Sequence, residues 1–134
     1  MKKLLFVCVE NSCRSQIAEA FARIHGGEEI EAYSAGSRPS GEVNPRAVET
    51  MWEIGYDLST HDSRSLDDIP VVEYDFVATM GCGDECPYVR AKRREEWEIP
   101  DPKNLPADQL RETRDLIEQK VKDVLAHLNS PNAS

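Results

Sequence analysis

The chain has 134 residues, room for one ordinary domain, and 40% of them are hydrophobic, enough for a real core. Its 25 acidic against 16 basic residues leave a net charge of −9. That balance excludes a general nucleic-acid binder and a protein held to anionic lipid, each of which needs a basic face. The predicted elements then run as follows. Leu4, Leu5, Phe6 and Val7 form a continuous apolar run, as in a strand buried on both faces. The polar residues Glu10, Asn11 and Ser12 follow it. Ile17, Ala18, Ala20, Phe21 and Ile24 recur at helical spacing until Gly26 and Gly27 stop the helix. A second strand is predicted from Ile30 to Tyr33, closed by Ala35 and Gly36. Asn44 and Pro45 open a second helix as cap and first residue. Its apolar positions are Ala47, Val48, Met51, Trp52 and Ile54, and Gly55 ends it. A short helix is expected over 65–69, a third strand over 76–80 and a fourth near 97–99. The last helix is predicted over about 106–128, with Leu110, Ile117, Val121, Val124 and Leu128 on one stripe. Strand and helix alternate, which predicts an α/β domain: a four-stranded parallel sheet with helices on both faces. One domain over residues 1–129 and a frayed tail over 130–134 are expected.

No apolar run approaches the roughly 20 residues of a membrane-spanning helix. The run over residues 4–9 is too short for the core of a signal peptide, and Glu10 and Asn11 interrupt it. A cytoplasmic protein with no membrane or nucleic-acid partner is expected. The four cysteines are Cys8, Cys13, Cys82 and Cys86. Two structural disulfides suit an exported chain better than a cytoplasmic one. Cys82 and Cys86 are spaced as a metal pair, but Cys8 and Cys13 are not, and no histidine is near; no metal or cofactor is expected. His25, His61 and His127 show no ligand spacing and are expected in surface or turn roles. Trp52 and Trp97 are expected as packing residues, and Glu19 is read as a solvated or loop-bracing carboxylate.

The surroundings of Cys8 favour reactive thiols. In Cys8-Val9-Glu10-Asn11-Ser12-Cys13-Arg14-Ser15 a buried strand ends, a tight loop follows and a helix begins. Such a loop aims backbone N–H groups at one point, and the helix N-terminus adds partial positive charge. The amides of Val9, Glu10, Asn11, Ser12 and Cys13 then form a cradle for a tetrahedral oxyanion. Cys8 sits at its base and Arg14 closes it as a two-point clamp. The same field favours a thiolate at Cys8, to which Ser15 is placed to donate a hydrogen bond. Asn11 suits the left-handed backbone of a tight loop, and Cys13 is read as a small core residue beneath it.

The spacing Cys, five residues, Arg, Ser resembles the phosphate loop of the low-molecular-weight protein tyrosine phosphatases. The resemblance implies a proton donor for the leaving oxygen, and Asp101, between Pro100 and Pro102, matches the family's Asp-Pro. Those phosphatases carry aromatic residues after that pair as walls for a phosphotyrosine ring. Here Lys103, Asn104 and Leu105 follow instead. The run Met80-Gly81-Cys82-Gly83-Asp84-Glu85-Cys86-Pro87 resembles the redox segment of thiol-dependent arsenate reductases built on the same fold. What this resemblance implies is reduction of arsenate to arsenite. Cys8 is the nucleophile, Arg14 the clamp, Asp101 the acid, and Cys82 and Cys86 the disulfide relay. Phosphate and sulfate are the implied competing oxyanions, and thioredoxin or a low-molecular-weight thiol the implied reductant. Gly81 and Gly83 would leave the Cys82 segment free to swing toward the loop. Some members hold potassium with residues that match Asn11, Glu19 and Ser34. They add an acidic residue in the loop after His61, where Arg64 or Ser65 stands here; a cation at Arg64 would make the ion unnecessary, and no ion is expected. The rival reading is a tyrosine phosphatase, whose chemistry needs neither Cys82 nor Cys86.

Overall fold

A computed structural model describes residues 2–81 and 89–128, apart from the side chain of residue 103. Strand β1 spans Lys2–Cys8, helix α1 Arg14–Gly26, β2 Ile30–Gly36, α2 Pro45–Trp52, β3 Phe76–Met80, β4 Arg94–Glu96 and α3 Ala107–Leu128. The four strands form one parallel sheet in the order β2-β1-β3-β4. This is the expected α/β class. The expected boundary at residue 129 and the tail lie outside the described residues.

Strand β1 lies between β2 and β3, and the chain crosses to opposite sides of it in turn. Ligands of open parallel sheets bind beyond the carboxyl end of the strand where that switch occurs. Here that end is Cys8, in register with Gly36 on one side and Met80 on the other. The alternation of β1 sends Leu4, Phe6 and Cys8 into one core, with Ile17, Phe21, Ile117, Val121 and Leu125 of α1 and α3. Leu5 and Val7 face the other way, against Ile69, Tyr74 and Val77, under the 3₁₀ turn Leu66–Asp68. Both faces of β1 are therefore dry, which is why its sequence is a continuous apolar run.

Helix α2 is fixed at both ends. The Asn44 carboxamide caps it by accepting from Arg46 N at 2.9 Å. Toward its other end Arg114 Nη1, on α3, donates to the Thr50 carbonyl at 2.9 Å and pairs with Glu53 at 3.0 Å.

Four expectations are corrected. The fourth strand lies over Arg94–Glu96, not over 97–99: its charged residues make an edge strand, while the buried Trp97 and Ile99 follow it under the sheet end. Trp97 does pack, with its ring 5.8 Å from that of Phe6 and 6.0 Å from that of Phe76. Trp52 does not: it is 64% exposed. It stands about 140° of helical rotation from the buried Ala47, beyond the stripe that carries Met51. Ile54, in the turn after α2, and Ile24, near the end of α1, are exposed too.

Candidate active site

Residues 8–14 leave the sheet at Cys8 and re-enter regular structure at Arg14. The outer side of this loop is tied down by the segment that follows β2. Ser37 N donates to the Cys8 carbonyl at 3.3 Å, Arg38 N to that of Val9 at 2.8 Å, Ser40 N to that of Glu10 at 3.0 Å, and Asn44 N to that of Ser12 at 2.8 Å. A trans peptide holds its N–H opposite its C=O. Carbonyls committed outward therefore turn the following amides inward. Gly36 permits the close fit, because a Cβ there would stand 2.6 Å from the Val9 oxygen. The inner side is a cavity of about 260 Å³ lined by Cys8, Val9, Glu10, Ser12, Cys13, Arg14, Gly81 and Asp101. Six of the predicted site residues are on one wall of it, and Asp101 comes to it from the far side.

Asn11 and Ser15 are not on that wall but beneath it. Asn11 is fully buried with φ of 49°, the left-handed conformation expected of it. Its Nδ2 donates to Ser15 Oγ at 2.8 Å, and Ser15 Oγ lies 2.9 Å from Cys8 Sγ. A thiolate at Cys8 can only accept, so in that form Ser15 Oγ is the donor of this contact. Asn11 Oδ1 in turn accepts from Arg64 N at 2.7 Å and from Gln16 Nε2 at 3.0 Å. Cys13 is buried at the cavity edge, and burial pushes its thiol up to about 12, so it stays protonated at neutral pH.

Arg14 Nη1 donates to the Ile99 carbonyl at 3.1 Å, two residues before Asp101. Its guanidinium packs against Gly81, where a Cβ would meet Nη1 at 2.4 Å. Asp101 is exposed at the cavity mouth. No aromatic residue lines the cavity among the described residues. Cys82, Gly83 and Cys86 lie outside the described residues; Gly81, the residue before Cys82, is in the cavity wall.

Sequence reasoning missed a second layer. Gln16, fully buried, links three segments: Nε2 donates to the carbonyls of Asn11 and Asp62, and Oε1 accepts from His61 Nδ1 at 2.9 Å. His61, expected in a surface or turn role, ends the 3₁₀ turn Leu58–Thr60 with its side chain buried. Its side chain is 7% exposed, and with Nδ1 carrying a proton its Nε2 is left to accept from Tyr56 OH at 2.6 Å. Burial lowers its pKa, the neutral ring being the form that fits. The signal for Gln16 was available, as a polar residue inside the apolar stripe of α1. Nothing local marks His61.

Glu19 is buried rather than solvated. It accepts from Ser34 Oγ at 2.6 Å and from Arg23 Nε at 2.9 Å. The cation beside it is Arg23, not Arg64, whose nearest carboxylate is Asp62 at 4.0 Å. Both Glu19 oxygens are thus engaged.

Residues 3–133 match the family model described as low molecular weight phosphotyrosine protein phosphatase. A protein of Synechocystis named glutaredoxin arsenate reductase is 35% identical over 132 residues, covering 96% of this chain and all of its own. Arsenate reductase 2 of Staphylococcus saprophyticus is 39% identical over 125 residues, covering 90% of this chain and 94% of its own. A solved structure described as an arsenate reductase in the phosphate binding state superposes with a TM-score of 0.84 at 35% identity, over 94% of this chain and 98% of that one. Loop, sheet order and these likenesses agree: the chain belongs to the low molecular weight phosphotyrosine protein phosphatase family, among members that carry the name arsenate reductase.

Proposed function

We propose that this protein reduces arsenate to arsenite through Cys8 and an intramolecular disulfide relay. The observation that carries the reading is that the Cys8 thiol, Arg14, Asp101 and the residue before Cys82 all line one small polar cavity. The oxyanion sits on the loop amides and the Arg14 fork. The Cys8 thiolate attacks arsenic, and Asp101 gives its proton to the departing oxygen, which leaves as water. The Cys82 thiolate then attacks Cys8 Sγ. The sulfur–arsenic bond breaks with its electron pair going to arsenic, which leaves as arsenite. A Cys8–Cys82 disulfide remains. Cys86 attacks Cys82, frees the Cys8 thiolate and leaves a Cys82–Cys86 disulfide. An external dithiol or two small thiols supply the two electrons that reopen it. Thioredoxin, or a low-molecular-weight thiol, fits that need, and both are abundant in the cytoplasm, where we place the reaction. The glutaredoxin in the name of the Synechocystis relative supports a thiol-coupled reductant.

Against the rival phosphatase reading, no aromatic residue lines the cavity among the described residues, and Asn104 and Leu105 stand where the aromatic walls are expected. An anaerobic thiol count before and after one equivalent of arsenate separates the two. Reduction consumes two thiols per arsenite; dephosphorylation consumes none. Peptide mapping then reads the relay. Cys86→Ser stops with Cys8 joined to Cys82, and the native protein ends with Cys82 joined to Cys86. Cys8 joined to Cys13 in the native protein would overturn the relay.

A further inference from the structure

Asp101 stands on the loop between β4 and α3. Prolines flank it, so two of the backbone N–H donors that could pin it do not exist. Within the loop, Leu105 N reaches the Pro102 carbonyl at 3.2 Å. Two arginines anchor the loop from outside. Arg14 Nη1 takes the Ile99 carbonyl at 3.1 Å on one side of Asp101. On the other side Arg46 takes two carbonyls, Pro102 with Nη1 at 3.1 Å and Leu105 with Nη2.

Arg46 stands in the first turn of α2, and that turn is itself tied to the oxyanion loop, since Asn44 N donates to the Ser12 carbonyl at 2.8 Å. A continuous path therefore runs from the cradle at Ser12, through the start of α2 and the Arg46 guanidinium, to the residue after Asp101. We infer that Arg46 is a positioning residue for the general acid: its two-carbonyl grip on Pro102 and Leu105 sets where the Asp101 carboxyl stands relative to the oxyanion cradle. The inference rests on the role given to Asp101 above. The residue type suits the task. A guanidinium presents parallel N–H donors in a rigid plane, so gripping two carbonyls fixes an orientation as well as a distance. A lysine ammonium reaches the same region as a point charge without that plane.

The test is single-turnover arsenate reduction by the fully reduced protein, followed as thiol loss, so that the external reductant does not limit the rate. Arg46→Met, Arg46→Lys, Asp101→Asn and the double variant Arg46→Met with Asp101→Asn are compared. The phosphate Kd is measured for each by calorimetry. Loss of a positioned acid costs on the order of 10²-fold at the low end. Arg46→Met is expected to lose about tenfold or more in rate, with Arg46→Lys between it and the native protein. The phosphate Kd should stay within twofold. In the Asp101→Asn background, Arg46→Met should change the rate by less than twofold, because the group it positions is gone. Circular dichroism and urea midpoints check folding, and Arg46→Lys, which keeps the charge, carries the test if Arg46→Met does not fold. The inference is overturned if the Arg46 substitution slows the Asp101→Asn protein by the same factor as the native one, or if its rate loss follows a weakened phosphate Kd. If Asp101→Asn alone leaves the rate unchanged, the acid assignment falls and the positioning role falls with it, whereas an effect of Asp101→Asn without one of Arg46→Met removes only the inference about Arg46.

Discussion

Gly81→Ala separates the binding role of Arg14 from the stability of the fold. Gly81 has φ of 74°, and a Cβ there would meet Arg14 Nη1 at 2.4 Å, Cζ at 3.0 Å and Nη2 at 3.1 Å. Two costs follow, and they fall on different quantities. A left-handed alanine costs about 1–2 kcal/mol of stability. The contact is with the far end of a flexible side chain, so the guanidinium moves rather than the backbone. That displacement removes Arg14 from the place where it faces the cavity. Losing one charge-assisted hydrogen bond to an oxyanion costs about 1.5–3 kcal/mol, roughly a 10- to 150-fold rise in Kd. Gly55→Ala is the control: its φ is 88°, but nothing lies within 4 Å of the added Cβ. Both variants should lose similar stability in urea. Only Gly81→Ala should lose phosphate affinity by calorimetry. A phosphate Kd for Gly81→Ala within twofold of the native value would refute the assignment of Arg14 as the clamp held over Gly81.

Cys8→Ser should abolish reduction and retain phosphate binding, since the serine hydroxyl is a weak nucleophile without a strong base beside it; turnover near the native rate would move the nucleophile elsewhere. Arg14→Lys should raise the phosphate Kd by about tenfold or more, because a point charge cannot reproduce the planar fork, and calorimetry reads it directly. His61 gives a pH dependence. Its pKa is lowered in the fold by burial, with Glu19 raising it and Arg23 and Arg64 lowering it further. The unfolded chain therefore binds the proton more tightly. The stability that His61 contributes is whole above its ordinary value of about 6.5 and is lost as pH falls below it. Urea midpoints between pH 7.5 and 5.5 should fall in the native protein and flatten in His61→Gln; equal slopes in both would remove His61 as the cause.

The part of the site that is contiguous in the chain was legible before folding. Strand, loop and helix from Leu4 to Phe21 follow one another without interruption, so the periodicities that mark them also place Cys8 at the end of the strand and Arg14 at the start of the helix. The stripe on α3 was legible for the same reason, since Leu110, Ile117, Val121 and Val124 are all buried. Periodicity was weaker at element ends. Apolar Trp97 and Ile99 suggested a strand where the ladder uses Arg94–Glu96, because a backbone ladder at a sheet edge does not require apolar side chains. Trp52 looked like core because hydrophobicity does not state the rotation of a short helix relative to its neighbours.

By itself, then, the amino-acid order determined the α/β class, a first strand buried on both faces, and the loop from Cys8 to Arg14 with its thiol and guanidinium. These follow from short-range rules of burial, turn conformation and helix initiation, which act within a dozen residues. Tertiary structure alone decided what stands around them. It brought Asp101 to the cavity that the Cys8–Arg14 loop lines, and joined Arg14 to the Ile99 carbonyl, 85 residues away, by one hydrogen bond. It set Arg46 on the acid loop, 56 residues away, and buried His61 against Gln16, 45 residues away. It also gave Glu19 the cation of Arg23 rather than that of Arg64. Hydrogen bonds between distant segments leave no periodic trace in the chain, because each partner needs only to reach the other once the sheet and helices have fixed where both stand.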